Sequence, residues 1–352
     1  MKNKSDFILA LKNEISLQND FISSPEPIET IYFGGGTPSL LTLSEIDSIL
    51  SVIQKKYTIN TDVEITLEAN PDDINTSTVK EWMGLGINRL SLGVQSFVDK
   101  ELAWMNRAHN SQDSLKSIDI ILEAGITNFS VDLIFGSPLL SDSELEKNIR
   151  YINERGIPHI SCYALTIEPK TALHHFIQQK KGVGIDPEKQ AAQFLLTMDL
   201  LNSFGYEQYE ISNYSKAGMR SKHNSSYWQG KPYLGFGPSA HSFDGKDKRR
   251  WNIANNMTYI NELKKHKIPF EEEVLTTAQR FNEYVMISLR RIEGIDEDFV
   301  LKNFGSERLT SLVSSCETFI NNKRLELKGS NITLTREGKL FADGIASELF
   351  LQ

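Results

Sequence analysis

Between residues 5 and 165 the sequence alternates short β-branched and aromatic runs with amphipathic helical stretches, and this rhythm constrains the fold more than any other feature. Phe7, Leu11 and Ile15 fall on one face of a helix expected over 5–19. Strands are expected at 29–33 (ETIYF), 63–69 (VEITLEA), 88–94 (NRLSLGV), 128–135 (NFSVDLIF) and 159–165 (HISCYAL). Helices are expected between them, over 42–56, 75–84, 111–124 and 141–154. Thr42 is placed to cap the first of these, and Gly125 to end the third. Parallel strands need a crossover long enough to carry a helix back across the sheet, and each interval here is long enough. Repetition of that unit gives a barrel, part of a barrel, or a doubly wound open sheet. Periodicity alone does not separate these.

In both architectures ligands bind at the carboxyl ends of the strands. Polar and glycine residues recur there: Gly34 to Thr37, Glu68 and Asn70, Gln95, Asp132, and Thr166 with Glu168. The GGGTP turn lets the backbone approach a ligand closely and can present N–H groups to a carboxylate or phosphate. It matches neither the GxGxxG nor the GxxxxGK[ST] pattern, and a purely architectural turn is its bland reading. Glu68 belongs to the same edge, or to a solvated rim. Gln95 can bond a ribose or amide, or close a loop. Arg107 can meet a ligand carboxylate, or pair with Asp99 or Glu101. Asp132 stands among Val131, Leu133 and Ile134, where a carboxylate needs a partner or a polar interior.

The pattern loosens beyond residue 170. A helix is expected over 186–203, then a glycine- and aromatic-rich stretch, 204–245, with little regular period. Helices over 256–265 and 278–291 precede a small α+β tail: a helix near 306–320, strands at 325–328 and 331–335, and a helix over 336–349. Two units are expected, 1–255 and 256–352. His223 and His241 lie in the aromatic stretch, where imidazole can ligate iron and Tyr227, Trp228, Tyr233 and Phe236 can contact a flat apolar ligand. Structural hydrogen bonds and packing between units are the alternative. His109, His159, His174 and His175 show no metal-like spacing.

Composition narrows the partners. A net charge of −8, with KKHK (264–267) and KDKRR (246–250) as the only short basic runs, argues against nucleic acid. No apolar run is long enough for a membrane span, and Lys12 and Glu14 interrupt the early FILAL run. The expected location is cytoplasmic. Two cysteines, Cys162 and Cys316, give no disulfide framework, zinc knuckle or CxxC pair.

Taken together, IYFGGGTPSLL (31–41), LEANPD (67–72), GINRLSLGVQSF (86–97), NRAH (106–109), VDLIFG (131–136), ISCYALTIEP (160–169), GYEQYEISNYS (205–215), SKHNSSYW (221–228) and YLGFGPSAHSF (233–243) are specific. In order and extent the chain resembles the radical S-adenosylmethionine family that includes oxygen-independent coproporphyrinogen III oxidases and the related heme chaperones. HNSSYW is similar to the HNxxYW pattern of the chaperone branch. The resemblance implies an α/β fold, a partial parallel (β/α) barrel missing its first strand, with a smaller C-terminal α+β domain. It implies that Gly35, Gly36 and Thr37 contact the amino-acid end of S-adenosylmethionine, and that Glu68, Gln95, Arg107 and Asp132 line the rest of its site. It also implies heme as cargo, with His223 and His241 as candidate iron ligands, and a heme-acceptor protein of respiration as partner. Peripheral membrane association would then come through that acceptor.

The family also holds a 4Fe-4S cluster on a CxxxCxxC segment after the first barrel strand. These 352 residues open at what corresponds to the first barrel helix and contain no such triplet. Cys162 and Cys316 do not substitute for it. The chain as given is therefore expected to assemble no such cluster, to cleave no S-adenosylmethionine by a radical route, and to expose a strand edge at 29–33 that invites self-association. A shortened sequence and a naturally cluster-less homologue account for this equally. No catalytic residue is assigned. The leading expectation is a heme chaperone-like protein; the rivals are a coproporphyrinogen III oxidase acting by radical decarboxylation and a cluster-less binding scaffold.

Overall fold

The structure, a computed structural model, describes residues 3–18, 21–22, 26–167 and 184–351. Glu168, His174 and His175 lie outside the described residues. Helix α1 (Lys4–Leu17) comes first, and then strands and helices alternate: β1 (Ile28–Phe33), α2 (Leu43–Lys56), β2 (Ile59–Ala69), α3 (Thr76–Gly84), β3 (Arg89–Gln95). The short α4 (Asp99–Trp104), which the periodicity does not announce, precedes α5 (Ser111–Ala124), β4 (Phe129–Phe135), α6 (Asp142–Glu154) and β5 (His159–Ala164). Local chemistry sets the helix starts. Thr42 with Glu45, Asn110 with Asp113 and Ser141 with Glu144 form reciprocal capping boxes at the heads of α2, α5 and α6.

Strands β1 to β5 pair in parallel and in sequence order. A doubly wound sheet reverses its strand order at a switch point, and no reversal occurs among these five. The architecture is a partial (β/α) barrel, as the family resemblance implied. Beyond β5, a helix α7 (Pro187–Ser203) leads to β6 (Glu207–Glu210) and β7 (Asn213–Ser215), which extend the sheet antiparallel beside β5. Strand β1 is the opposite edge of the described sheet. Helix α8 (Lys222–Trp228) lies against it, with the His223 ring bonded to Thr30.

The two faces of the sheet differ sharply. Ile65, Leu67, Ala69, Leu90, Leu92, Val94, Phe129, Val131, Leu133, Phe135, Ile160 and Cys162 form one face and bury themselves under the helices. Each fully buried Leu or Ile there contributes about 1.5–3 kcal/mol. The alternate residues form the other face: Thr30 and Tyr32, Glu64, Thr66 and Glu68, Arg89 and Ser91, Ser130 and Asp132, His159, Ser161 and Tyr163. Register aligns them in rows. Glu68 pairs with Ser91, Ser91 with Ser130, and Ser130 with His159. Strand alternation thus builds a concave interior of polar side chains.

The stretch 204–245 is more ordered than its sequence suggests, since it contributes the β6–β7 pair, α8 and β8 (His241–Phe243). Strand β8 pairs with β9 (Lys248–Asn252), and β9 with β10 (Phe270–Val274), after the intervening α9 (Asn256–Lys264). The boundary expected at 255/256 therefore falls within this hydrogen-bonded sheet. A separate apolar core forms from α10 (Thr277–Leu289) onward, with β11 (Ile295–Asp296), α11 (Glu297–Phe304), α12 (Ser306–Asn321), β12 (Leu325–Lys328), β13 (Asn331–Leu334) and α13 (Ala342–Glu348). This is the expected C-terminal α+β region.

One buried carboxylate ties α1 to the β8–β10 region. Glu14 is 2% exposed and accepts hydrogen bonds from Gly237 N (2.8 Å), Asn252 Nδ2 (2.6 Å) and the Tyr259 hydroxyl. Burial raises its pKa, and the three donors oppose that rise. Glu14→Ala would strand three buried donors, so chemical denaturation should show a loss of about 2–4 kcal/mol. Glu14→Gln, which keeps an acceptor oxygen, should lose less.

Candidate functional site

The carboxyl ends of β1 to β4 carry the first group of site residues. Gly35 has φ +78°, which an L side chain rarely adopts, and its N–H donates to Glu68 Oε2 at 3.0 Å. The other oxygen of Glu68 accepts from the Tyr32 hydroxyl at 2.7 Å. Gly36 and Thr37 continue the same exposed turn. Arg107 Nη2 donates to Asn70 Oδ1 (2.8 Å) and to the Gly93 carbonyl (3.2 Å). The alternative pairing of Arg107 with Asp99 or Glu101 does not form. Asp99 instead accepts from Ser111 N, and Glu101 from Ser96 Oγ.

Gly93 sits on the polar face between these groups. A Cβ there would come within 3.0 Å of Gln95 Nε2, 3.4 Å of Arg107 Nη2 and 3.6 Å of Asn70 Oδ1. Gln95 itself has φ 68°, after a register shift between Leu92 and Gln95. A left-handed conformation at a residue with a side chain costs about 1 kcal/mol or more, and it marks a site that the surroundings enforce. Asp132 lies deeper on the same face. Burial is the main cause that pushes its carboxyl up to about 6; Ser161, Arg89 and Arg107 oppose the rise and Glu68 adds to it. Gly35, Glu68, Gln95, Arg107 and Asp132 are thus gathered at one mouth of the sheet.

Below this mouth lies a cavity of about 250 Å³. Its walls include Tyr32, Arg89, Ser91, Ser130, His159, Ser161, Asn213, His223, Asn224 and Tyr227. Of these the sequence reading singled out His223 as a site residue, and Tyr227 as an aromatic contact. The missed residues carry a signal in strict alternation: R-L-S-L, S-V-D-L and H-I-S-C place a polar side chain at every second position of β3, β4 and β5. A parallel sheet covered on both faces reads as near-continuous apolar runs, so this alternation announces a polar interior.

His223 bonds through Nδ1 to Thr30 Oγ1 (2.8 Å) and through Nε2 to the Tyr227 hydroxyl (3.1 Å). Its ring stacks on Tyr32 at 4.7 Å. Burial holds its pKa down to about 4, so it is neutral at physiological pH. Its backbone N–H also donates to Glu64. His241, on β8, is exposed, tilts against Trp251 at 6.2 Å and is not among the cavity-lining residues. The four aromatics of this stretch have different surroundings. Tyr227 and Tyr233 meet edge to face at 4.7 Å. Trp228 lies under Arg290, and Phe236 packs beside α1 and α2.

No group of three histidine, cysteine or carboxylate side chains suited to a metal ion occurs among the described residues. Cys162 is buried on the apolar face of β5 and Cys316 in the core of the C-terminal region. Burial pushes both thiols up, Cys316 to about 12, so both remain protonated. This donor set does not fit a four-iron cluster.

The model of the Radical SAM superfamily matches residues 14–152. The chain is 34% identical to the heme chaperone HemW of Escherichia coli (strain K12), across 98% of this chain and 90% of that one. It is 31% identical to HemW of Bacillus subtilis (strain 168), across 97% of this chain and 90% of that one. Its fold resembles Escherichia coli HemN, a coproporphyrinogen III oxidase and radical SAM enzyme, with a TM-score of 0.82, 19% identity, and coverage of 99% of this chain and 84% of that one. The chain belongs to the radical SAM superfamily, in its HemW heme-chaperone branch.

Asp132 supplies a test of the polar interior. A carboxyl whose folded pKa is raised contributes stability at low pH that is lost as pH rises through that pKa. Asp132, ordinarily near 3.8 and here about 6, should therefore weaken the fold between about pH 4 and pH 7. Asp132→Asn removes the titration. Its stability relative to wild type, measured by urea unfolding across this range, should rise with pH by about 2–3 kcal/mol.

Proposed function

We propose that this protein acts in the cytoplasm, where it binds heme and transfers it to an acceptor protein, a membrane-associated enzyme of respiration. One observation carries the reading: similarity to proteins named heme chaperones runs the length of the chain rather than through the barrel alone. No described helix is long and apolar enough to cross a membrane, so membrane association would come through the acceptor.

His223 supports the reading chemically. It is neutral, and Thr30 holds Nδ1, so exchange of the Tyr227 hydroxyl would leave Nε2 as the iron-facing nitrogen. A partner on the second ring nitrogen is what orients an imidazole ligand. His241 is the second candidate, and its exposure would let it bind iron at the surface.

In this reading the upper mouth is the S-adenosylmethionine site. Gly35, Gly36 and Thr37 would hold its amino-acid end, and Glu68, Gln95, Arg107 and Asp132 would line the remainder. The absent Cβ of Gly93 leaves the space for its approach. When bound, this molecule supplies an electrophilic sulfonium centre. The protein residues bind and orient it, and Asp132 exchanges a proton near pH 6. The described residues offer no donor set for a cluster, and the proposed function is one of binding.

Two measurements test the proposal. Purified protein titrated with hemin should give a saturable change in the Soret region, and His223→Ala should shift that band. An unchanged spectrum would remove His223 as ligand, and no saturable binding would end the heme reading. Anaerobic reconstitution with iron and sulfide should yield less than a stoichiometric four-iron signal by absorption and iron analysis; a full cluster would overturn the donor assignment.

A further inference from the structure

On the wall of the cavity below the upper mouth, two buried side chains, Arg89 and His159, each keep a nitrogen with no hydrogen-bond partner among the described residues. Arg89 is 2% exposed, and its Nε has no hydrogen-bond partner. Its ion-pair contact among the described residues is Glu64, at a distant 3.9 Å. Glu64 is already occupied. Its oxygens accept from Ser221 Oγ (3.4 Å), Lys222 N (3.1 Å) and His223 N (3.0 Å) at the head of α8. Glu64 is thus shared with the helix start and meets Arg89 only at ion-pair distance, which leaves the Arg89 Nε without a hydrogen-bond acceptor among the described residues.

His159 is the second donor. It is 1% exposed, and its Nε2 lies 2.7 Å from the Tyr209 hydroxyl. Tyr209 oxygen also receives a hydrogen bond from Asn224 Nδ2 at 3.3 Å, which leaves its own proton to point to His159 Nε2. The ring proton of the neutral imidazole then sits on Nδ1, which has no partner. Between these two donors the sheet register places Ser91 and Ser130, and next to them Ser161. Their small side chains leave the space. Tyr163 and Asn213 complete the wall, and Asp132 faces the same interior from above.

Buried donors left unmade cost about 1–3 kcal/mol each, and a site of this kind is commonly completed by a ligand. A guanidinium with an unpartnered Nε beside an N–H donor and serine hydroxyls suits a planar oxyanion, and a carboxylate is the smallest organic group of that kind. We propose that this lower compartment is a second small-molecule site, distinct from the upper mouth, which takes a carboxylate group on Arg89 and His159. At about 250 Å³ it lies below the roughly 300–1,000 Å³ of pockets for drug-sized ligands. It therefore accepts a small organic acid whole, or the carboxylate arm of a tetrapyrrole whose ring stays outside beside Tyr227. Only the second source rests on the heme reading above.

Calorimetry with succinate, and absorption titrations with hemin and with hemin dimethyl ester, test the site on the full chain. Arg89→Lys keeps the charge and removes the fork, and Ser130→Leu fills the space while leaving Arg89 in place; circular dichroism checks that both fold. If the compartment takes a free acid, succinate binds wild type and binds both variants at least about tenfold more weakly. If it takes the tetrapyrrole arm, wild type prefers hemin over its ester by at least about tenfold, and both variants lose that preference. Should either variant unfold, the wild-type comparisons decide alone. The proposal is overturned when wild type takes no succinate and binds hemin and ester alike, a result that leaves heme binding intact. Succinate binding without hemin or ester binding removes the heme reading and leaves this site standing.

Discussion

A parallel sheet with one apolar face and one polar face has to keep the polar face wet, paired or occupied. That constraint governs the protein. Leu90, Leu92, Val131, Leu133 and Ile160 turn outward and are sealed by helices. Period-two alternation then forces Arg89, Ser91, Ser130, Asp132, His159 and Ser161 inward. No repacking of the helices can change this, since a one-residue slip would invert every side chain at once. The interior is thus a consequence of how the core is made.

The interior groups meet their needs unequally. Glu68 is satisfied by Tyr32 and Gly35, and Glu64 by the head of α8. Glu14, outside the sheet, is satisfied by three donors and fastens α1 to the later part of the chain. Arg89 and His159 retain unpaired atoms. Burial shifts both Asp132 and His223 toward their neutral forms, so the interior carries less charge than its residue list implies.

Much of this was legible in the sequence. The strand-and-helix rhythm located the five parallel strands within a few residues, because capping residues and glycine stops punctuate it. Glu68, Gln95 and Asp132 were recognisable as strand-end polar groups, and the structure gathers them with Gly35 and Arg107. Arg89 escaped notice, and His159 was considered only for metal-like spacing, because each opens a strand, where a polar residue reads as a flank; only the alternation beyond them shows which way they face. The stretch 204–245 looked irregular for a different reason. Its order comes from long-range bonds, Glu64 to the start of α8 and Thr30 to His223, which leave no local period. The aromatics of that stretch were grouped by proximity in sequence, whereas Trp228 and Phe236 belong to separate packing neighbourhoods.

Tyr32 stands as a partition between two rooms. Its hydroxyl is held by Glu68 on the side of the glycine turn, and its ring lies flat on the imidazole of His223 on the other. Any guest that draws Glu68 away frees the phenol to swing, and the imidazole loses the surface that fixes its plane. The reverse holds with equal force, because linkage between two binding events is symmetric in free energy. A single aromatic side chain thereby touches both the carboxylate of the glycine turn and the imidazole of the cavity wall.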